Sequence, residues 1–207
     1  MKKTSLLIGI FLLTLNIYGQ DNQIEFGIKG GLNYSSFIDN NDDDIPADYT
    51  GKIGFHLGGF VKLPISERIL IKPELIYSQQ GSNFSTNGSN YSAPDDVFIR
   101  GGINGKINES LVLIPIILEY KLNKKLSLEF GPQFGLTLNR EIEYENSSFD
   151  QGFLKNDDKE TFEFGIGLGL GYSISSDLGI SLRYNYGIIE RQNLKTSVIQ
   201  LGMNYKL

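Results

Sequence analysis

The sequence predicts an all-β protein, an eight-stranded antiparallel up-and-down transmembrane β-barrel, on three observations. Eight segments, each longer than the ~5 or 6 residues usual in soluble sheets, alternate with period two. Large apolar residues take one face of nearly every segment, while glycines and charges take the other. The connections alternate long and short, the pattern of barrels with tight periplasmic turns and long outer loops.

The runs follow in order. In residues 23–34, Ile24, Phe26 and Ile28 oppose Glu25, Gly27 and Lys29; in 52–63, Ile53, Phe55, Leu57 and Val61 oppose Gly54, His56, Gly58 and Lys62. In 69–79, Ile71 and Leu75 oppose Lys72 and Glu74. The fourth run, 109–121, is apolar on both faces through its middle and ends in Glu119-Tyr120. The fifth, 125–138, sets Leu128, Phe130, Phe134 and Leu136 against Glu129, Gly131, Gln133 and Gly135. The sixth, 160–172, sets Phe162, Phe164, Ile166, Leu168 and Leu170 against Glu163, Gly165, Gly167, Gly169 and Gly171. In 177–187, Ile180, Leu182, Tyr184 and Tyr186 oppose Gly179, Ser181, Arg183 and Asn185, and in 197–207 Ile199, Leu201, Met203 and Tyr205 oppose Gln200, Gly202, Asn204 and Lys206.

The glycine row of the sixth run decides which face points inward. A phosphate-binding loop is excluded because the GxGxxG spacing is absent and the following residues keep a strand period. A soluble barrel would hold its apolar face inside. That arrangement would leave four glycines in a row against water and crowd Phe162, Phe164 and their neighbours into an interior just wide enough for side chains. The opposite facing puts Gly165, Gly167, Gly169 and Gly171 in the lumen and the large residues in lipid. The same register turns Glu25, Lys29, Lys62, Lys72, Glu74, Glu119, Glu129, Glu163 and Arg183 inward. Charges of both signs in a narrow barrel must pair, so a closed salt-bridge network is expected.

Strands of this length cross a bilayer when tilted, since about 9 to 11 residues suffice. Tyr34, Tyr77, Tyr184 and Tyr186 fall near the outer rim and Tyr120, Tyr172 and Tyr205 near the periplasmic rim, where a ring with one wet end suits the headgroups. The connections are 35–51, 64–68, 80–108, 122–124, 139–159, 173–176 and 188–196, and an even strand count returns both termini to the periplasm.

The first twenty residues carry Lys2 and Lys3, then an apolar run from Leu6 to Leu15, then Gly19 and Gln20, and are expected to be a cleaved secretory signal peptide. Residues 21–207 then form one outer-membrane barrel domain. The 207 residues contain no cysteine, which removes disulfides, thiol nucleophiles and thiolate metal sites. A net charge of -5 argues against nucleic acid as a partner.

At residues 111–136, "LVLIPIILEYKLNKKLSLEFGPQFGL", the sequence resembles the small outer-membrane beta-barrel family common in Bacteroidetes, described as porin-family or PorT-like. The resemblance rests on Ile114-Pro115, Glu119-Tyr120, Gly131-Pro132 and Gly135, with further matches at 27–37, 70–81 and 182–188. It implies the barrel fold over the mature chain and supplies no catalytic residue. One relative is implied in protein secretion.

The residues point to no enzyme. The single histidine, His56, is expected inside the lumen with no nucleophile motif beside it, and reads as a hydrogen-bonded filler. The acidic run 39–44 and Asp157, Asp158 and Glu160 lack the spacing of a calcium loop and read as solvated. Asn83, Asn90 and Asn146 head glycosylation-like triplets that are not expected to be used in a bacterial-type envelope protein. No cofactor and no metal are called for. The expected function is a non-enzymatic, monomeric outer-membrane scaffold with periplasmic termini, lipid as its surroundings, and loops that contact extracellular protein or glycan through Tyr49, Phe84, Tyr91, Phe98, Phe149 and Phe153. The alternatives are a small solute or ion channel and an accessory component of protein secretion.

Overall fold

In a computed structural model the described residues are 24–39, 47–86, 91–92, 98–99, 104–144, 161–191 and 193–207. The expected signal peptide, most of the acidic segments, Asn90, Asn146, Phe149 and Phe153 lie outside them, as do the side chains of Tyr91 and Phe98.

The strands are β1 (Glu25–Asp39), β2 (Ala47–Pro64), β3 (Ile69–Thr86), β4 (Tyr91–Ser92), β5 (Phe98–Ile99), β6 (Asn104–Lys121), β7 (Leu126–Tyr144), β8 (Phe162–Ser173), β9 (Leu178–Gly187) and β10 (Leu194–Lys206). Eight of them close into an antiparallel barrel in the order β1-β10-β9-β8-β7-β6-β3-β2, and the two-residue β4 and β5 pair with each other. The closing seam runs from Gly27 opposite Lys206 to Asp39 opposite Leu194. Full closure leaves no strand edge, which is what a bilayer demands of a sheet.

At one end of the barrel lie Ile24 and Leu207, the two ends of the described residues, and three short turns. The turns share one geometry. Ile65 N and Ser66 N donate to the Ile69 carbonyl, Leu122 N and Asn123 N to that of Leu126, and Ile174 N and Ser175 N to that of Leu178. The second turn residue then caps the return strand: Ser66 Oγ accepts from Ile69 N at 3.2 Å, Asn123 Oδ1 from Leu126 N at 2.9 Å and Ser175 Oγ from Leu178 N at 3.1 Å. Ser and Asn are the residues that satisfy turn backbone this way.

Toward the other end the strands exceed the expected runs. β2, β3, β6 and β7 reach Ala47, Thr86, Asn104 and Tyr144, so parts of three segments read as loops are ladder. Polar outward residues hide these extensions, because an apolar outward stripe is what distinguishes a strand of this barrel from a loop. The β-pairing shifts register between Gly51 and His56 and again at Ser110/Leu111, and at the first shift Ser35 Oγ on β1 bonds both N and O of Gly81 on β3. Gly81 has φ +149, a conformation that side chains rarely adopt.

Along the middle of the barrel the outer face is apolar: Leu32, Phe55, Leu57, Leu75, Phe130, Leu168, Leu182, Leu201 and Met203 are all exposed there. Among the described residues no helix is long and apolar enough to cross a membrane.

Candidate functional site

The barrel interior is organised around a cluster of charges carried by different strands. Arg183 on β9 donates from Nη1 to Glu74 Oε2 at 2.8 Å and from Nη2 to Glu74 Oε1 at 2.9 Å, a forked pair. It also reaches Glu129 Oε2 on β7, from Nη2 at 2.6 Å and from Nε at 3.1 Å. Lys29 Nζ on β1 donates to Glu74 Oε2 at 3.0 Å, and Lys72 on β3 pairs with Glu129. Lys72 further lies 3.5 Å from Glu119, which lies 3.3 Å from Lys62 nearer the turn end. Lys29, Lys72, Glu74, Glu129 and Arg183 are almost wholly buried, Glu119 is buried and Lys62 half-buried. Glu25 stands at the turn-end rim, half-buried, 3.4 Å from Lys206.

Period two places these groups together. Lys29, Lys72, Glu74, Glu129 and Arg183 all occupy inward positions of their strands, and the barrel is narrow enough that opposite walls touch. The glycine row provides the room. Gly165, Gly167 and Gly169 are buried and Gly171 is half-buried. A Cβ on Gly167 would stand 2.6 Å from Asn185 Oδ1 and 3.2 Å from Arg183 Cδ, and one on Gly169 would stand 3.1 Å from Arg183 Cα. One on Gly171 would meet Ser127 Oγ at 2.6 Å. The missing side chains of β8 are thus the space into which β9 packs its arginine and asparagine.

A second cluster sits nearer the loop end. Arg191, in the β9–β10 turn, donates from Nη2 to Glu109 Oε2 at 2.9 Å and to Glu163 Oε2 at 2.8 Å, and from Nη1 to Thr137 Oγ1 at 2.8 Å. Arg140 Nε lies 3.5 Å from Glu109. Of these residues the sequence reading singled out Glu163 alone. Glu109 was within reach of it, since counting back by twos from Glu119 arrives there. Arg191 lies in a segment with no alternation, and only the tight turn, with Asn193 at φ 64, carries it inward.

Between the clusters the interior is mixed. Leu111 and Leu113, from the inward face of the run that is apolar on both faces, form a buried apolar patch with Ile76 of β3. His56 is buried, its Nδ1 2.8 Å from Asn33 Oδ1, while Asn33 Nδ2 also donates to Ser78 Oγ and to the Phe55 and Gln79 carbonyls. A cavity of about 60 Å³ opens at the turn end beside Lys62, Glu119 and Glu129. One of about 420 Å³ lies in the wall toward the loop end, between the inward Lys52, Gln80 and Glu109 and the outward Gln79, Asn108 and Asn139. Among the described residues no group of three or more His, Cys, Asp and Glu could hold a metal ion.

Tyr34, Tyr77, Tyr120, Tyr172, Tyr184 and Tyr205 are exposed on the outer face, and Tyr186 is half-buried. Tyr77 donates to Ser110 Oγ at 3.0 Å and Tyr184 accepts from Ser197 Oγ at 3.2 Å. Two aromatics expected to present themselves outward do not. Tyr49 and Phe84 pack against the buried cluster of Phe37, Ile107 and Leu194, with the Tyr49 ring edge-on to Phe37 at 6.2 Å. The strand extensions turn these rings inward, where they escape water by covering one another.

The family described as outer membrane protein beta-barrel domain matches residues 18–191. None of the curated proteins matches the chain. Among solved structures the chain is similar to Ail, the attachment invasion locus protein of Yersinia pestis, in its complex with the heparin analogue sucrose octasulfate, at 15% identity and a TM-score of 0.47, covering 90% of this chain and 100% of that one. It is similar to Neisserial surface protein A at 13% identity and 0.46, covering 90% and 100%, and to OprG from Pseudomonas aeruginosa at 13% and 0.46, covering 88% and 95%. With eight strands closed into a ring, an apolar outer belt and a family match over most of its length, the chain belongs to the outer membrane protein beta-barrel domain family.

Proposed function

We propose that this protein is a non-enzymatic, monomeric scaffold of the outer membrane, closed through its lumen, with the termini and the three tight turns in the periplasm and the strand extensions outside. One observation carries the closure: the Arg183–Glu74–Glu129–Lys72–Lys29 cluster joins side chains from β1, β3, β7 and β9 across the bore. Each of these charges is desolvated and held by partners of opposite sign, so opening a wet path means breaking several buried pairs together. Barrels with aqueous lumens use about 16 to 18 strands. His56 is 2% exposed and commits its Nδ1 to Asn33, which suits packing rather than chemistry.

The outward surface of the extensions, rich in amides, hydroxyls and charges, is the part available for contact with extracellular protein or glycan. The motifs at Ile114-Pro115 and Gly131-Pro132 support the PorT-like branch of the small barrels.

The test of closure is conductance across a planar bilayer. Refolded protein is expected to give no steps. Reproducible single-channel steps in the native protein that change with Glu129→Gln would establish a pore and sink the scaffold reading.

A further inference from the structure

We infer that the sector formed by the β2–β3 and β6–β7 turns grips anionic phospholipid headgroups of the inner leaflet, an inference that rests on the periplasmic placement of the turns. The three turns have the same backbone hydrogen bonds and the same side-chain cap, so the fold asks the same of each. Their charges differ sharply. The β2–β3 and β6–β7 turns stand side by side, joined by Lys121 N donating to the Arg68 carbonyl at 2.8 Å. Together they expose Arg68, Lys121, Lys124 and Lys125 against the single carboxylate of Glu67, four positive charges to one negative. The β8–β9 turn has no cation and contains Asp177, and its neighbour Lys206 lies 3.4 Å from Glu25 and 3.5 Å from Asp177. One side of this end is therefore basic and the other internally neutralised, a difference the turn geometry does not require.

Position selects the partner. Ile65 and Leu122, 57% and 45% exposed, continue the outward faces of their strands beyond Leu63 and Tyr120. Lys124 lies in the turn two residues from Leu122, while Arg68, Lys121 and Lys125 continue the inward faces of their strands but are exposed at the rim. From there their long stems can fold outward over Ile65 and Leu122 to the level where headgroups meet the apolar belt. Lysine and arginine stems lie along apolar surface while their charged ends reach phosphate, and clustered basic residues at a bilayer surface attract anionic lipid. A soluble acidic polymer would gain nothing from the exposed isoleucine and leucine.

The test uses the intact barrel in phosphatidylcholine bilayers with trace spin-labelled phosphatidylglycerol or spin-labelled phosphatidylcholine. The fraction of motionally restricted label reports association. Phosphatidylglycerol is expected to be preferred by roughly threefold or more at low salt, and the preference to fall toward one at high salt. The combined variant Arg68→Gln, Lys121→Gln, Lys124→Gln and Lys125→Gln should lose it, Lys206→Gln should keep it, and Glu67→Gln, which needs no loss of a cation, should raise it. Equal association of the two lipids, or a preference indifferent to both Glu67→Gln and the combined variant, would overturn the inference. So would binding of soluble peptidoglycan fragments that depends on the four cations while lipid preference is absent. None of these readings depends on which way the barrel faces, which protease shaving of intact cells decides separately through cuts at residues 64–68 or at 87–103.

Discussion

The membrane-spanning part of the barrel and its extension beyond the belt use the same strands with opposite solubility rules. In the spanning part, Leu168 and Leu182 face out while Arg183 and Glu129 face in. In the extension, Asn108, Asn139 and Glu141 face out while Phe37, Ile107 and Leu194 face in. Period two runs unbroken along β1, β6 and β10, where the inversion is written in residue type alone. In β2 and β7 it slips by one residue, so that Tyr49 and Arg140 face in although His56 and Glu129, of the opposite parity, do so nearer the turns. Lipid asks for a greasy exterior and tolerates a paired polar interior, whereas water asks for the reverse. The register shifts at Gly51/His56 and Ser110/Leu111 fall near this change of surroundings. A β-bulge re-aims side chains there without ending the ladder.

The comparison breaks most severely at the charged cluster. Arg183→Met leaves Glu74 and Glu129 buried with a large part of their partners gone, and is expected to cost about 3–5 kcal/mol, read as a lowered urea midpoint of refolded barrel in micelles. The same exchange of charge for apolar volume at Lys106, half-buried on β6 beyond the belt, should move the midpoint little, since changes away from the core usually fall within about 0.5 kcal/mol.

The reverse exchange separates the two outer faces. Leu168 is 61% exposed in the middle of the belt, and Leu168→Arg is expected to cost about 2–4 kcal/mol in lipid. Asn108→Arg, on the outer face of the extension, should be nearly neutral by the same bilayer folding titration. Equal losses at the two sites would mean that lipid reaches the extension, and the boundary drawn here would have to move outward.

The mildest change probes the interior of the extension. Ile107→Val removes one methylene from the cluster of Phe37, Ile107 and Leu194 and should cost about 0.5–1.5 kcal/mol, with faster amide exchange confined to the outer ends of β1, β6 and β10. Faster exchange spreading to the turn end would show the two regions unfolding as one unit.

Most of the spanning fold was legible in the sequence because lipid leaves a two-residue stripe that little else produces. The glycine row was legible for the same reason: Gly165 to Gly169 alternate against Phe164, Ile166 and Leu168, and only a crowded interior rewards that. The extension was not, since Asn83, Asn108 and Asn139 on a strand surface look like the residues of a loop. Arg191 was hidden for a different reason. Its partners Glu109 and Glu163 are separated from it by 82 and 28 residues, and nothing local marks a turn residue that reaches into the bore.

The shared turn geometry also bears on how the barrel is put together. Three connections close over four residues or so with their backbone already satisfied by Ser66, Asn123 or Ser175, whereas the seam from Gly27 to Lys206 joins strands from opposite ends of the chain. Closing a short loop sacrifices little chain freedom and closing a long one more, so local pairings are reached first. The β2–β3, β6–β7 and β8–β9 hairpins are then the natural units of assembly, each arriving with its tip already formed. The union of β1 with β10 comes last, and with it the burial of Lys29 among its counter-charges, so the cluster in the bore completes only when the ring does.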